Sequence, residues 1–241
     1  MLSDYDCRLL DIDRYKLHLG DEATLKNEFQ KLIDDINDLG SLGFHKLVCQ
    51  IKHDSSFPAS VTKKHIRKIQ RLITKETALR LSGKFKLSFV PVIYFSENVP
   101  YSKDLKVLSV PNSNYIFLEL PLSYMPEYVP HALNRLLYSQ KLLPVFANFH
   151  IYCATYKPDE IDKFISIKNS AFQFDLSCAV LPQNIKLIKQ ILKSGNTVLI
   201  GTSRDHSSLN KSEIDKNIKL LKKSLGDSYY MTLVLRAHAF P

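Results

Sequence analysis

The stretch from residue 114 to residue 152 constrains the fold of this chain more than any other part of it. It contains two short apolar runs, YIFLEL and LLPVFA, and a segment with apolar residues at helical spacing lies between them. Uninterrupted apolar runs joined through a helix are typical of strands buried on both faces in a parallel sheet. In such folds the functional groups lie at the carboxyl ends of the strands. We therefore expect functional residues at Glu119 after the first run, and at Asn148, Phe149 and His150 after the second.

The rest of the chain repeats this alternation. Candidate strands lie at 5–12, 46–51, 85–94, 115–120, 142–147, 171–176 and 198–201. Helical spacing predicts helices at 21–40, from 60 or 62 to 83, from Pro158, from Pro182 to Gly195, at 211–225 and at 229–240. About seven strands alternating with helices indicate an α/β fold with a parallel sheet, most simply a closed or nearly closed barrel. A barrel of this kind takes roughly 200–250 residues, so 241 residues fit one domain.

Bulk composition limits the class of protein. The 33 basic and 24 acidic residues give a formal charge of +9, which favours acidic partners, although lysine-rich helices facing water also account for part of it. The four cysteines are widely spaced and lie in or beside apolar runs, which indicates reduced thiols rather than disulfides. No apolar run approaches the 18 residues of a membrane span, and no basic leader precedes the first acidic residues. We expect a cytoplasmic protein without membrane insertion.

Two motifs in the central stretch resemble a known family. Residues 114–121 read NYIFLELP, and residues 144–147 read PVFA, with Tyr152 five positions later. They are similar to the N-Y-x-L-I-E-x-P and P-V-x-A-H-P-E-R-Y segments of the PHP (polymerase and histidinol phosphatase) family, in its capsular-polysaccharide branch of manganese-dependent protein-tyrosine phosphatases. The resemblance implies a distorted (β/α)7 TIM-like barrel, a single domain over residues 1–241. Up to three metal ions would lie at the carboxyl ends of the strands. We call this open end of the barrel the mouth.

At the family's ligand positions this chain carries other residues. The opening D-x-H-x-H falls on 4–8, so that Asp6 and Arg8 stand where histidines are expected. The histidine of T-P-H falls on Lys52, and the glutamate after the third strand falls near Tyr94. The A-H-P-E-R-Y segment reads ANFHIY, which puts Asn148 at a ligand position.

The last motif, S-D-A-H, falls on 202–205. If the alignment shifts by one residue, His53, His150 and His206 lie near the pocket. The resemblance thus predicts a degenerate pocket made of Asp6, Arg8, Lys52, His53, Tyr94, Asn148, His150, Ser203, Arg204, Asp205 and His206.

Manganese or zinc sites need neutral imidazoles and carboxylates that converge on each ion. Here Arg8 and Lys52 would project into that space. A fixed cation about 4 Å from a divalent ion costs roughly 8 kcal/mol at an effective dielectric constant of 20. Asp6 and Asp205 could neutralise one cation but not also build three metal positions. We therefore expect no metal cofactor, and a pseudophosphatase in place of the manganese enzyme of the family.

Two other functions stay open at this point. The first is a phosphoesterase with a single-metal site rebuilt from Asp6, His150, Asp205 and His206. The second is a basic nucleic-acid-binding module that uses the cations at 63–75. The lack of aromatic residues there makes nucleic acid an unlikely partner. Cysteine phosphatase chemistry fails, because no arginine lies six residues after any cysteine.

The resemblance also suggests partners. It implies a bacterial protein in capsule or exopolysaccharide regulation, and a phosphotyrosine protein or other acidic ligand in the mouth, with a capsule-type tyrosine kinase as one candidate. The sequence leaves homo-oligomerisation open. Alternatively, the charged residues bind no ligand: Arg8 pairs with Asp6, Arg204 pairs with Asp205, and these pairs fill a pocket that once held metal.

Overall fold

The fold was analysed in a computed structural model that describes residues 2–10, 44–53, 55, 58–78, 86–202 and 211–241. For the first strand only the backbone is described. The helix predicted at 21–40 and the predicted helix end at Gly83 lie outside the described residues.

Seven parallel strands form one sheet in the order of the sequence. They are β1 (Leu2–Leu10), β2 (Phe44–His53), β3 (Lys86–Tyr94), β4 (Tyr115–Glu119), β5 (Leu143–Phe146), β6 (Ala171–Asp175) and β7 (Thr197–Gly201). The α/β class with a parallel sheet, predicted from the apolar runs, is confirmed.

Helices connect most of the strands. They are α1 (Ala59–Ala78), α2 (Tyr128–Tyr138), α3 (Phe149–Tyr152), α4 (Pro158–Ile165), α5 (Leu176–Ala179), α6 (Pro182–Lys193), α7 (Lys211–Leu225) and α8 (Asp227–Ala239), with 3-10 turns at Val99–Tyr101 and Leu105–Leu108. Pro158 and Pro182 begin α4 and α6, where a missing backbone N–H is harmless. Gly195 follows α6 with a φ of +89°, a conformation that glycine adopts without strain. Within these residues, no helix has an apolar stretch long enough to cross a membrane.

The sheet is strongly curled. The Nε2 atom of Gln50 on β2 donates a 2.7 Å hydrogen bond to Oε1 of Gln173 on β6, and both side chains are buried. Three strands separate β2 from β6 in the sheet, so these side chains meet only because its inner face is concave. Cα atoms of β1 and β7 also come within 8 Å of each other. Hydrogen bonds join each strand to the next, from β1 to β7. A closed barrel also needs hydrogen bonds between β1 and β7, so the closed barrel stays a prediction.

Side chains alternate along each strand and so build two apolar layers. The inner layer contains Val48, Val90, Val92, Phe117, Val145, Ala171 and Leu199. The outer layer packs the opposite faces of the strands against the helices, and an aromatic group made of Phe146, Phe149, Phe164, Phe172 and Phe174 lies at its centre.

The residues after α8 close the amino-terminal end of the inner layer. The ring of Phe240 lies 4.6 Å from the ring of Tyr115 and 6.4 Å from that of Phe117, measured between centroids. Nζ of Lys46 donates to the carbonyl oxygens of Phe240 and Pro241, at 2.8 Å each. The inner space is thus closed at this end, which leaves the carboxyl end as its opening.

Candidate functional site

Four inner-face side chains reach the carboxyl end of the sheet. Lys52 lies two residues beyond Gln50 on β2, and Tyr94 lies two residues beyond Val92 on β3. Glu119 ends β4 and Asp175 ends β6. The period of two along each strand places all four on the same concave face as the Gln50–Gln173 pair. Lys52 and Tyr94 are exposed, and Glu119 is half-buried.

The structure places His53 on the other side of β2. Its Nδ1 atom is 2.9 Å from Oγ1 of Thr62, a buried residue of α1, and the ring is half-buried. This contact ties the end of β2 to the first turn of α1. Of two neighbouring residues predicted for the pocket, the structure therefore brings Lys52 to the mouth and directs His53 to the helix layer.

The segment after β5 brings Asn148 and His150 to the carboxyl edge. Asn148 is 3% exposed and has a left-handed backbone, with a φ of +50°, a conformation that asparagine tolerates better than most residues. This turn starts α3 directly at the end of the strand. His150 is half-buried, its ring lies 6.3 Å from that of Phe174, and its Nδ1 atom accepts a long 3.4 Å hydrogen bond from the backbone N–H of Asp175.

Asp175 is an inner-face carboxylate that sequence reasoning missed. It is 6% exposed and caps α5, since its Oδ1 atom accepts from the backbone N–H groups of Ser177 at 2.7 Å and Cys178 at 3.3 Å. The hydroxyl of Ser177 donates to the same oxygen. The sequence signal was available: an aspartate that directly follows an apolar run is a typical N-cap residue for a helix that begins there.

Three tyrosine hydroxyls fix the loops around the ends of β3 and β4. The phenol oxygen of Tyr152 accepts from the N–H of Leu120 at 2.9 Å, and Tyr156 donates to the carbonyl oxygen of Pro121 at 2.6 Å. Tyr128 donates to the carbonyl oxygen of Phe95 at 2.9 Å. Burial raises the pKa of Tyr128 and of Tyr156 above the usual value, so both stay protonated donors near neutral pH. The β4 end of the mouth is therefore rigidly held.

Cys153, at the end of α3, is not a nucleophile. Burial raises the pKa of its thiol to about 12, and the Sγ atom donates to the carbonyl oxygen of Phe149 at 3.2 Å. At pH 8 the reactive thiolate is thus a minute fraction. We expect iodoacetamide at pH 8 to modify Cys153 far more slowly than free cysteine, as measured by peptide mass spectrometry. Labelling of Cys153 at the rate of free cysteine would contradict this assignment.

Several predicted pocket residues are not described at the side-chain level. Asp6 and Arg8 lie on β1, where the backbone alone is described, and Ser203, Arg204, Asp205 and His206 lie outside the described residues.

The described mouth residues do not fit a polymetal centre of the family type. In the part of the chain that the structure describes, no group of three or more histidine, cysteine, aspartate or glutamate side chains is placed to hold a metal ion. Asp175 already accepts three hydrogen bonds on one oxygen, and Lys52 brings a fixed cation to the same face. Among these residues, Lys52 can hold a phosphate or carboxylate through a charge-assisted hydrogen bond, while Glu119 and Asp175 add negative charge to the same face.

An apolar hollow lies outside the mouth, under α7 and α8. Including its open side it measures about 550 Å³, and most of its lining is apolar, as at Leu221, Leu233 and Val234. It contains none of the charged mouth residues.

Comparison with known proteins supports the fold. The sequence matches no family model, and no curated protein matches it. The chain is similar in structure to a solved structure described as YwqE from Bacillus subtilis and CpsB from Streptococcus pneumoniae, unique metal-dependent tyrosine phosphatases. The TM-score is 0.64 at 13% sequence identity, and the match covers 88% of each chain. The resemblance predicted from the sequence is thereby confirmed at the level of the fold.

Proposed function

We propose that this chain is a closed PHP-type (β/α)7 barrel that has lost the metal centre and the phosphatase reaction, and that binds a phosphorylated or acidic group in its mouth. The observation that carries the proposal is the exposed Lys52 on the inner face, at the position where the resemblance expects a metal-binding histidine. An ammonium group there repels a divalent cation and attracts a phosphate or carboxylate.

Asp175 and the tyrosine hydrogen bonds also support a site that binds a ligand without hydrolysing it. Three donors engage the Oδ1 atom of Asp175, which makes that oxygen a poor metal ligand and offsets part of the repulsion between this carboxylate and an incoming anion. The hydrogen bonds of Tyr128, Tyr152 and Tyr156 hold the loops after β3 and β4 in place, so these loops lose little conformational entropy when a ligand binds.

The biological setting of the proposal rests on the resemblance alone. A cytoplasmic phosphotyrosine protein is the expected partner, with a capsule-type tyrosine kinase as the first candidate. Capsule or exopolysaccharide regulation would be the pathway.

Binding of phosphotyrosine tests the proposal. We expect isothermal titration with free phosphotyrosine, without added metal, to show saturable binding that Lys52→Ala weakens about tenfold or more. One charge-assisted hydrogen bond contributes about 1.5–3 kcal/mol, and 1.4 kcal/mol corresponds to a factor of ten.

The matched control is Lys193→Ala, which removes an exposed lysine from the end of α6, at the opposite edge of the sheet. Its affinity should stay within twofold of the wild type. Equal affinity of the Lys52→Ala variant and the wild type would exclude Lys52 as the anion-binding group.

A working phosphoesterase is the second candidate. It requires Asp6, Asp205 and His206 to join His150 around one metal ion. The observation that favours it is that His150 lies at the carboxyl edge, beside the backbone of Asp175.

A further inference from the structure

Helix α1 carries a basic stripe, which we define as Lys64, Arg67, Lys68 and Arg71. All four side chains are exposed. At 100° per residue, their spacing of i, i+3, i+4 and i+7 keeps them within an arc of about 100° on one helix face. From the first to the last of them there are seven residue steps, or about 10 Å along the helix axis.

The basic stripe concentrates positive charge on one face of α1. No ion pair joins these four side chains to an acidic group among the residues that the structure describes, and the first turn of α1 contains no acidic residue. Like charges four apart, such as Lys64 with Lys68, destabilise an isolated helix by their repulsion. The lysine-rich helix α7 differs, since its first turn includes Glu213, and its Lys222 lies 3.8 Å from Asp227.

One end of the stripe lies close to the mouth. Helix α1 begins six residues after β2 ends, and the contact between His53 and Thr62 holds its first turn against the end of that strand. Lys52 is the neighbour of His53 and faces the mouth. Lys64, two residues after Thr62, is therefore the stripe residue nearest the mouth, and the stripe leads away from it along α1 to Arg71, about 10 Å farther on.

We propose that the basic stripe is a docking surface for an acidic polypeptide segment that flanks the group bound in the mouth; this inference rests on the proposed function. Carboxylates on a helix or an extended chain recur every 5–7 Å, which matches the spacing of successive stripe residues. Arginine forks bind carboxylates with two parallel hydrogen bonds.

Other polyanions fit the stripe less well. The described part of α1 exposes no large apolar side chain that could enter a lipid surface, and α1 contains no phenylalanine, tyrosine or tryptophan that could stack on bases.

Two labelled peptides test the inference: one with phosphotyrosine flanked by four glutamates on each side, and one with glutamine in their place. By fluorescence anisotropy at low salt, the wild type should bind the glutamate peptide about tenfold tighter. The combined variant Lys64→Gln, Arg67→Gln, Lys68→Gln and Arg71→Gln should bind both peptides equally. The control variant Lys168→Gln, Lys193→Gln, Lys216→Gln and Lys219→Gln makes the same charge change at exposed sites elsewhere and should keep the tenfold preference.

Circular dichroism establishes that both variants are folded before they are compared. Equal loss of preference in the stripe and control variants would overturn the inference, as would a preference retained by the stripe variant. Tighter stripe-dependent binding of a 20-base-pair DNA duplex, or of vesicles with 30% phosphatidylserine, would overturn it as well.

The Lys52→Ala variant distinguishes failure of this inference from failure of the proposed function. Lys52→Ala should weaken both peptides equally and leave their ratio at about ten. If the wild type prefers the glutamate peptide through the stripe while Lys52→Ala leaves the affinity of both peptides unchanged, the stripe inference holds and the proposed phosphate binding by Lys52 in the mouth fails.

Discussion

Phe149→Ala is expected to lower the free energy of unfolding by about 4 kcal/mol. Phe149 is fully buried, and its ring centroid lies 4.7 Å from that of Phe172 and 6.1 Å from those of Phe164 and Phe174. Truncation removes the central ring of the outer aromatic group and leaves a cavity between β5, β6 and α4. For a chain of this length the loss corresponds to a decrease in Tm of about 10 °C, measurable by urea and thermal denaturation.

Two variants calibrate that result. Phe149→Leu keeps much of the volume, so its loss should be less than half as large. Ile151→Ala removes a residue of the same short helix that is 39% exposed and should cost less than about 1 kcal/mol. If Phe149→Ala were no worse than Ile151→Ala, the packing described around β5 would be wrong.

Phe240→Ala is expected to cost about 3 kcal/mol. The side chain is only 5% exposed, and it closes the amino-terminal end of the inner layer against Tyr115 and Phe117. Urea denaturation measures the loss. Met231→Ala on α8 is the matched control, because Met231 is 53% exposed and should contribute little.

The same variant separates stability from function. Phe240 lies at the end of the inner space opposite to Lys52, so Phe240→Ala should bind phosphotyrosine like the wild type under conditions where it is folded. A folded Phe240→Ala protein that loses phosphotyrosine binding would show that the two ends are coupled, against this description.

Most strands were predictable because they are apolar runs that end abruptly. The strand predicted at 5–12 is β1 at Leu2–Leu10, which begins three residues earlier because Asp4, Asp6 and Arg8 obscure its apolar pattern. The predicted run at 85–94 is β3 at Lys86–Tyr94, and the run at 115–120 is β4 at Tyr115–Glu119. The short helices α3 and α5 were missed, since four residues are too few to show helical spacing. Strand β6 ends at Asp175, one residue before the predicted end at 176, because Asp175 is the N-cap of α5.

The candidate site was less predictable. The period of two along β2 already separates Lys52 from His53, and applying it would have assigned His53 to the helix layer. The Gln50–Gln173 hydrogen bond had no sequence signal, because it joins residues 123 positions apart and depends on the curl of the sheet. Within the residues that the structure describes, Nε2 of Gln173 has no hydrogen-bond partner, a polar feature in an apolar layer that the sequence does not indicate.

The measurement that tests the loss of the metal centre most directly is metal analysis of the purified protein combined with turnover of p-nitrophenyl phosphate and phosphotyrosine peptide in added manganese. The proposed function predicts substoichiometric metal and no hydrolysis above the rate of buffer with manganese. Stoichiometric metal, with turnover that vanishes in an Asp205→Ala variant, would contradict it and establish the rebuilt phosphoesterase instead.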